Sequence, residues 1–187
     1  MIFLTAGHHN RDSGAVGNVY KESDLTKEIR DLTLTRIKQL SPRTKVWADN
    51  DNDTLSQVIA KVKGLATAKD IWVELHFDAS SNSTATGATA LVATNAREKS
   101  KELANDLVSI GSKVLGIRNR GVKTELESNR GRLAMLHTPA SSVLYEVAFI
   151  SNKDDIKAYQ EMKYWLSDEL ARVLIKHDGE NGQNNDD

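Results

Sequence analysis

The chain contains no cysteine. That excludes a disulfide framework and any zinc or iron–sulfur centre built on thiolates, so a metal here has to be held by nitrogen and oxygen. No apolar run approaches the ~18 residues that a membrane span requires. A dominant charge of one sign is also missing. The 25 basic and 26 acidic side chains leave a formal net charge of −1, and no global field draws the protein to nucleic acid or to an anionic membrane. Met1 to Gly7 lacks both a basic n-region and an apolar h-region of adequate length. It reads as a strand that starts at once rather than as a signal peptide, and the expectation is a protein made and kept in the cytoplasm. No internal repeat and no linker to a second domain is visible. With 187 residues, 39% of them hydrophobic and 27% charged, the chain suits one globular domain with a real core.

What is present is an alternation of short apolar strands with amphipathic helices. Residues 2–6 predict a strand, and 7–21 a polar, glycine-containing loop. Asp24 predicts the N-cap of a helix over 25–40, with Ile29, Leu32, Ile37 and Leu40 on one stripe and Ser41-Pro42 ending it. Further strands are predicted over 44–48, 71–76, 87–93 and 142–146. Further helices are predicted over 55–66, 97–115, 153–160 (capped by Asn152 or Ser151) and 163–176. Residues 80–86 form a Ser/Thr/Asn loop, and 116–132, rich in Arg and Gly, read as irregular. Residues 178–187 hold four acids and no base and predict a disordered tail, leaving 1–177 as the domain. The alternation argues for a single α/β domain with a mostly parallel central sheet flanked by helices.

Three of the apolar runs end in groups of the same kind: His8, His76 and Glu146. Ligands of such sheets bind outside the carboxyl ends of the strands. If these runs are neighbours, their ends share one crevice, with Glu22 close by at the start of the first helix. Two histidines and a glutamate are the protein ligands of a catalytic zinc with an open position, and a further carboxylate can serve as its general base. Alone, each residue has a plainer reading. A single His at a strand end is more often structural than a ligand, and Glu22 is a helix-start carboxylate favoured by the dipole. Glu146, after Val143-Leu144-Tyr145, is an odd place for a charge. The case rests on the joint pattern. His9 is the rival of His8, and chain order favours His8, directly after Gly7.

Other residues carry weaker signals. Glu74 alternates with His76 and so shares its face, placed to orient a ligand or to pair with a cation. Asp49 to Asp53 looks like the start of an EF-hand loop, but Thr54 and Ala60 stand where Gly and Glu are needed, and the segment reads as a solvated turn. Arg118, Arg120, Arg130 and Arg132 flank a loop beside the crevice; they suit the binding of carboxylates and equally suit a solvated basic face.

The pieces Gly7-His8-His9-Asn10, Glu22, Glu74-Leu75-His76-Phe77-Asp78-Ala79 and Leu144-Tyr145-Glu146-Val147-Ala148-Phe149-Ile150-Ser151-Asn152 occur in a fixed order. That order resembles the zinc-dependent N-acetylmuramoyl-L-alanine amidases of the third amidase family, over roughly residues 1 to 175. The resemblance implies a twisted, mostly parallel sheet of about six strands. It implies one Zn2+ per chain held by His8, Glu22 and His76, and Glu146 as the catalytic carboxylate. The implied substrate is peptidoglycan, cut between the lactyl carbonyl of N-acetylmuramic acid and the L-alanine of the stem peptide.

Two positions depart from the family pattern: Asp78 replaces an Asn, and Ala148 replaces a Gly. Asp78, Arg132 and His137 are the expected substrate contacts, and Glu74 the expected partner of a metal ligand. A bare catalytic domain of this kind implies a monomeric phage endolysin, held in the host cytoplasm before release to the wall. The alternatives are an inactive wall-binding or regulatory module of the same fold, and a zinc peptidase acting within the stem peptide.

Overall fold

The structure, a computed structural model, describes residues 1–128 and 130–179. In chain order its strands are β1 (Ile2–Ala6), β2 (Val16–Gly17), β3 (Tyr20–Lys21), β4 (Val46–Trp47), β5 (Ile71–Asp78), β6 (Ala88–Val92), β7 (Asn119–Thr124) and β8 (Ser141–Phe149). The helices are α1 (Glu22–Leu40), α2 (Leu55–Leu65), α3 (Glu98–Leu115) and α4 (Lys153–Gly179), and 3-10 turns occupy Glu125–Glu127 and Ala134–Leu136.

Six strands form one sheet in the order β4-β1-β5-β8-β6-β7, and β2 pairs with β3 in a separate small hairpin. Every pairing in the large sheet is parallel except that of β6 with β8. The expected α/β domain with a mostly parallel six-stranded sheet is thus what the chain forms. β1, β5 and β8 lie side by side, buried along nearly their whole length, as strands covered on both faces are.

One apolar cluster joins α1, α3 and α4 to one face of the sheet through Ile29, Leu107 and Leu170 against Val73, Leu75 and Tyr145. A smaller cluster on the other face joins Val58 and Val62 of α2, with Met135 and Leu136, to Phe3, Trp72 and Leu144. Removing a fully buried side chain of this size from water contributes roughly 1.5–3 kcal/mol. Along β5 the period of two carries Trp72 of this second face on to Glu74 and His76. Along β8 it carries Leu144 on to Glu146. Register pairs His76 directly with Glu146. The core side of this face is therefore apolar, and its end at the carboxyl edge of the strands is ionisable.

Four sequence expectations need correction. α1 begins at Glu22, not after Asp24, with Lys21 at the N-cap; Glu22 enters the first turn, where the positive end of the helix favours a carboxylate. The stretch read as irregular contains β7, a half-exposed edge strand. The two C-terminal helices are one, α4, because nothing between Gln160 and Lys163 stops a helix. Asn152 Oδ1 caps it, accepting from the backbone of Asp154 and Asp155 at 2.8 and 3.1 Å. The Asp49–Asp53 segment is not merely solvated. Asp49 is buried, accepts from Arg30 Nη1 at 2.9 Å and from the backbone N–H of Ala6 at 3.1 Å, and so fixes the end of β1. Of the expected tail, Asp178 and Gly179 complete α4, and residues 180–187 lie outside the described residues.

Candidate metal centre and cleft

His8 follows β1 with a backbone φ of 69°, in the left-handed region that His visits more readily than most residues. This turn aims its ring across the strand ends at Glu22. Glu22 is buried, and each of its carboxylate oxygens faces one histidine. Oε2 lies 3.0 Å from His8 Nε2, and Oε1 lies 2.9 Å from His76 Nδ1. Backbone N–H groups of Ala15 and Phe77 donate to the same two oxygens at 3.0 and 3.1 Å. One nitrogen or oxygen from each of His8, Glu22 and His76 falls within a 4.8 Å span of the others. His9, the rival, is outside this set: its Nδ1 accepts from the backbone N–H of Arg11 at 3.2 Å, and it lines a hollow next to His8 and His76.

The outward nitrogen of each ring is also engaged. His8 Nδ1 is 2.9 Å from Asp12 Oδ2, and His76 Nε2 is 3.1 Å from Glu74 Oε1. Glu74 in turn accepts from Thr5 Oγ1 at 3.3 Å, and Thr5 accepts from Trp72 Nε1 at 2.9 Å. A carboxylate behind each imidazole fixes its tautomer and ring orientation, the arrangement that surrounds metal-bound histidines.

Two glycines make room for this cluster. A Cβ on Gly7 would stand 2.3 Å from His76 Cε1. One on Gly14, whose φ is +62°, would stand 2.5 Å from His8 Cδ2 and 2.7 Å from Glu22 Oε2.

The charges are strongly coupled. Burial alone would raise the pKa of Glu22, but the two histidines outweigh it and hold the carboxyl well below the usual carboxylate range. Burial opposes charge on His76, yet its bonds to Glu22 and Glu74 push it up to about 10. His8 is raised against burial by Glu22 and Asp12 in the same way. Protonated, the two imidazoles offset the carboxylates around them, a place that a metal cation would take over. Two imidazole nitrogens and a carboxylate are a nitrogen–oxygen set suited to a divalent transition metal.

Glu146 is 3% exposed, and among the described residues neither of its oxygens accepts a hydrogen bond. Burial raises its pKa to about 7 against the pull of His76 and Arg130. It lines a cleft of about 360 Å³ together with Glu22, Asp78, Arg120, Lys123 and Arg130. A second hollow of about 320 Å³ is lined by His8, His9, Asp12, Glu74 and His76.

The structure therefore brings together His8, Glu22, His76, Glu74 and, across the cleft, Glu146 and Asp78. Arg132 is exposed and outside the cleft lining. His137 lies elsewhere, its Nε2 2.8 Å from the buried Glu125. Sequence reasoning missed Asp12 as the partner of His8 and did not separate Arg120 and Arg130, which line the cleft, from Arg118 and Arg132. The i, i+4 spacing of His8 and Asp12 was the one available hint.

Residues 2–175 match the family Amidase_3, N-acetylmuramoyl-L-alanine amidase, and the chain belongs to it. It is 29% identical over 180 residues to the N-acetylmuramoyl-L-alanine amidase LytC of Bacillus subtilis (strain 168), covering 95% of this chain and 34% of that protein. It is 27% identical over 163 residues to the endolysin of Bacillus phage SPP1, covering 83% of this chain and 56% of the phage protein. The chain thus spans about a third of the first relative and just over half of the second. In fold it is similar to the catalytic domain of CwlV, an N-acetylmuramoyl-L-alanine amidase from Bacillus (Paenibacillus) polymyxa var. colistinus. The TM-score is 0.74 at 24% identity, over 96% of both chains.

Proposed function

We propose that the protein hydrolyses peptidoglycan at the amide between N-acetylmuramic acid and L-alanine. His8, Glu22 and His76 hold one Zn2+, and Glu146 is the general base and then the general acid. The observation that carries this reading is the convergence of His8 Nε2 and His76 Nδ1 on Glu22. The opposite nitrogen of each ring is occupied by a carboxylate, and Glu146, buried and without a hydrogen bond among the described residues, lies beside the cluster. Similarity to the phage endolysin supports a role in host lysis, with the protein held in the host cytoplasm before it meets the wall. Among the described residues no helix is long and apolar enough to cross a membrane.

The chemistry needs a stronger nucleophile than water and a better electrophile than an amide. Zinc, when bound, supplies both by polarising the carbonyl and lowering the pKa of water to about 7. His8, Glu22 and His76 fix the ligand geometry, and Asp12 and Glu74 orient the rings. Glu146 takes a proton from the attacking water and delivers it to the departing amine of L-alanine, a role typically worth about 10²–10⁴ in rate. A dication beside Glu146 favours its ionised form at neutral pH despite burial. Asp78 and the arginines that line the cleft would meet the polar groups of the stem peptide.

The test is digestion of purified cell walls by the metal-loaded protein, with and without a chelator, followed by analysis of the new termini. New L-alanine amino groups without new reducing sugars, lost on chelation, support the proposal. New amino termini from other stem residues mark a peptidase, and no release marks a binding module.

A further inference from the structure

Arg130 occupies an unusual place. Its Nη2 lies 2.7 Å from Glu146 Oε1 and 3.9 Å from Asp78 Oδ1. Yet the contact with Glu146 lacks hydrogen-bond geometry, so both oxygens of that buried glutamate remain without a bond among the described residues. The Arg130 side chain is 39% exposed and the Glu146 side chain 3%. A structural counter-ion for a buried carboxylate is normally buried with it and bonded to it. Arg130 instead reaches into the cleft from outside, with N–H groups to spare.

The loop that carries Arg130 is tied down at its base. Glu125 is buried and accepts from the backbone N–H of Leu133 at 2.7 Å and of Thr94 at 3.3 Å, besides its contact with His137. Ser128 Oγ donates to Glu125 O at 2.6 Å and accepts from the backbone N–H of Arg130 at 3.3 Å. The segment is thus held at Glu125, Ser128 and Leu133, while the guanidinium of Arg130 faces the cleft.

A guanidinium pairs best with a planar carboxylate that it can meet through two N–H groups. In a stem peptide the residue after L-alanine is acidic, and its free α-carboxyl group lies a few bonds from the amide to be cut. Taking the amidase reading as given, we infer that Arg130 is the receptor for this carboxylate. In the free protein Arg130 leans on Glu146. When the substrate enters, its carboxylate takes the guanidinium, and Glu146 is released for proton transfer. The specificity this gives is for stem peptides whose second residue carries a free carboxylate rather than a carboxamide.

Two muramyl tripeptides that differ only in carboxylate or carboxamide at the second residue test the inference. They are compared on the wild type, Arg130→Gln and Arg130→Lys, both by turnover and by calorimetric binding to the metal-free proteins. A hydrogen bond to a charged group contributes about 1.5–3 kcal/mol, so the wild type should prefer the carboxylate by roughly ten- to hundredfold. The preference should appear in KM and in binding. In Arg130→Gln the ratio should fall to near one, and Arg130→Lys should restore part of it. Equal binding of both ligands by the wild type overturns the inference, as does a preference that survives in Arg130→Gln. Failure of the amidase reading looks different: neither peptide yields free L-alanine amino groups, while the binding preference and its loss in Arg130→Gln still decide the role of Arg130.

Discussion

Glu74 Oε1 stands 3.1 Å from His76 Nε2, which leaves only the opposite nitrogen of that ring to face Glu22. The pair follows from β5 itself, because residues two apart on a strand share a face. Replacing Glu74 with Gln keeps an acceptor there but removes the charge that makes the imidazole a better donor. The expected outcome is a loss of about 10–100-fold in zinc affinity, read by competition with a chromogenic chelator. Unchanged affinity would show that Glu74 plays no part in metal binding.

Gly7 sits where any side chain would strike the His76 ring. Gly7→Ala should therefore displace that ring or the end of β1. A destabilisation of about 1–3 kcal/mol, typical of overpacking, is expected in denaturant melts, together with substoichiometric zinc. Gly64, where an added Cβ would meet nothing within 4 Å, is the control: Gly64→Ala should not reduce stability.

Much of this centre was legible in the sequence because its parts sit at the ends of strongly apolar runs. β1, β5 and β8 read as buried strands, and their terminal His8, His76 and Glu146 stood out as charges where charges are costly. β7 was illegible because Asn119-Arg120-Gly121-Val122-Lys123-Thr124 is an edge strand without an apolar face to announce it. Asp49 looked solvated because its partner, Arg30, lies 19 positions away on α1. Arg120 and Arg130, which line the cleft, could not be told from Arg118 or Arg132, since charge alone says nothing of which side chain turns inward.

The hairpin beside the site turns through two left-handed residues, Asn18 and Val19, and of these Asn tolerates the conformation while Val does not. Val19 has a φ of 67° and is 97% exposed, so a β-branched side chain occupies a left-handed turn and packs on nothing. Left-handed backbone costs an L-residue roughly 1–2 kcal/mol, and glycine avoids that cost while adding some unfolded-state entropy. Val19→Gly should stabilise the protein by about 0.5–1 kcal/mol, read as a rise of a few degrees in Tm. A fall in Tm would contradict the strain.

Glu125 links the Arg130 loop to pH. Burial raises its pKa, but the N–H groups of Leu133 and Thr94, with His137, outweigh burial and lower it. A carboxyl depressed on folding adds stability above its ordinary range, and that stability is lost as pH falls through the folded value. Glu125→Gln should therefore be less stable than the wild type at neutral pH, and the gap should close as pH falls below the usual glutamate range. Chemical denaturation across pH 2–7 checks this; a gap that stays constant would mean the charge of Glu125 is not what holds the loop.

If His8, Glu22 and His76 grip one metal ion within reach of Glu146, anomalous diffraction at the zinc edge, from crystals of the zinc-loaded protein, should give a single strong peak among His8, His76 and Glu22, with Glu146 unligated beside it. A peak elsewhere, or one with Glu146 as a ligand in place of these residues, would rule this arrangement out.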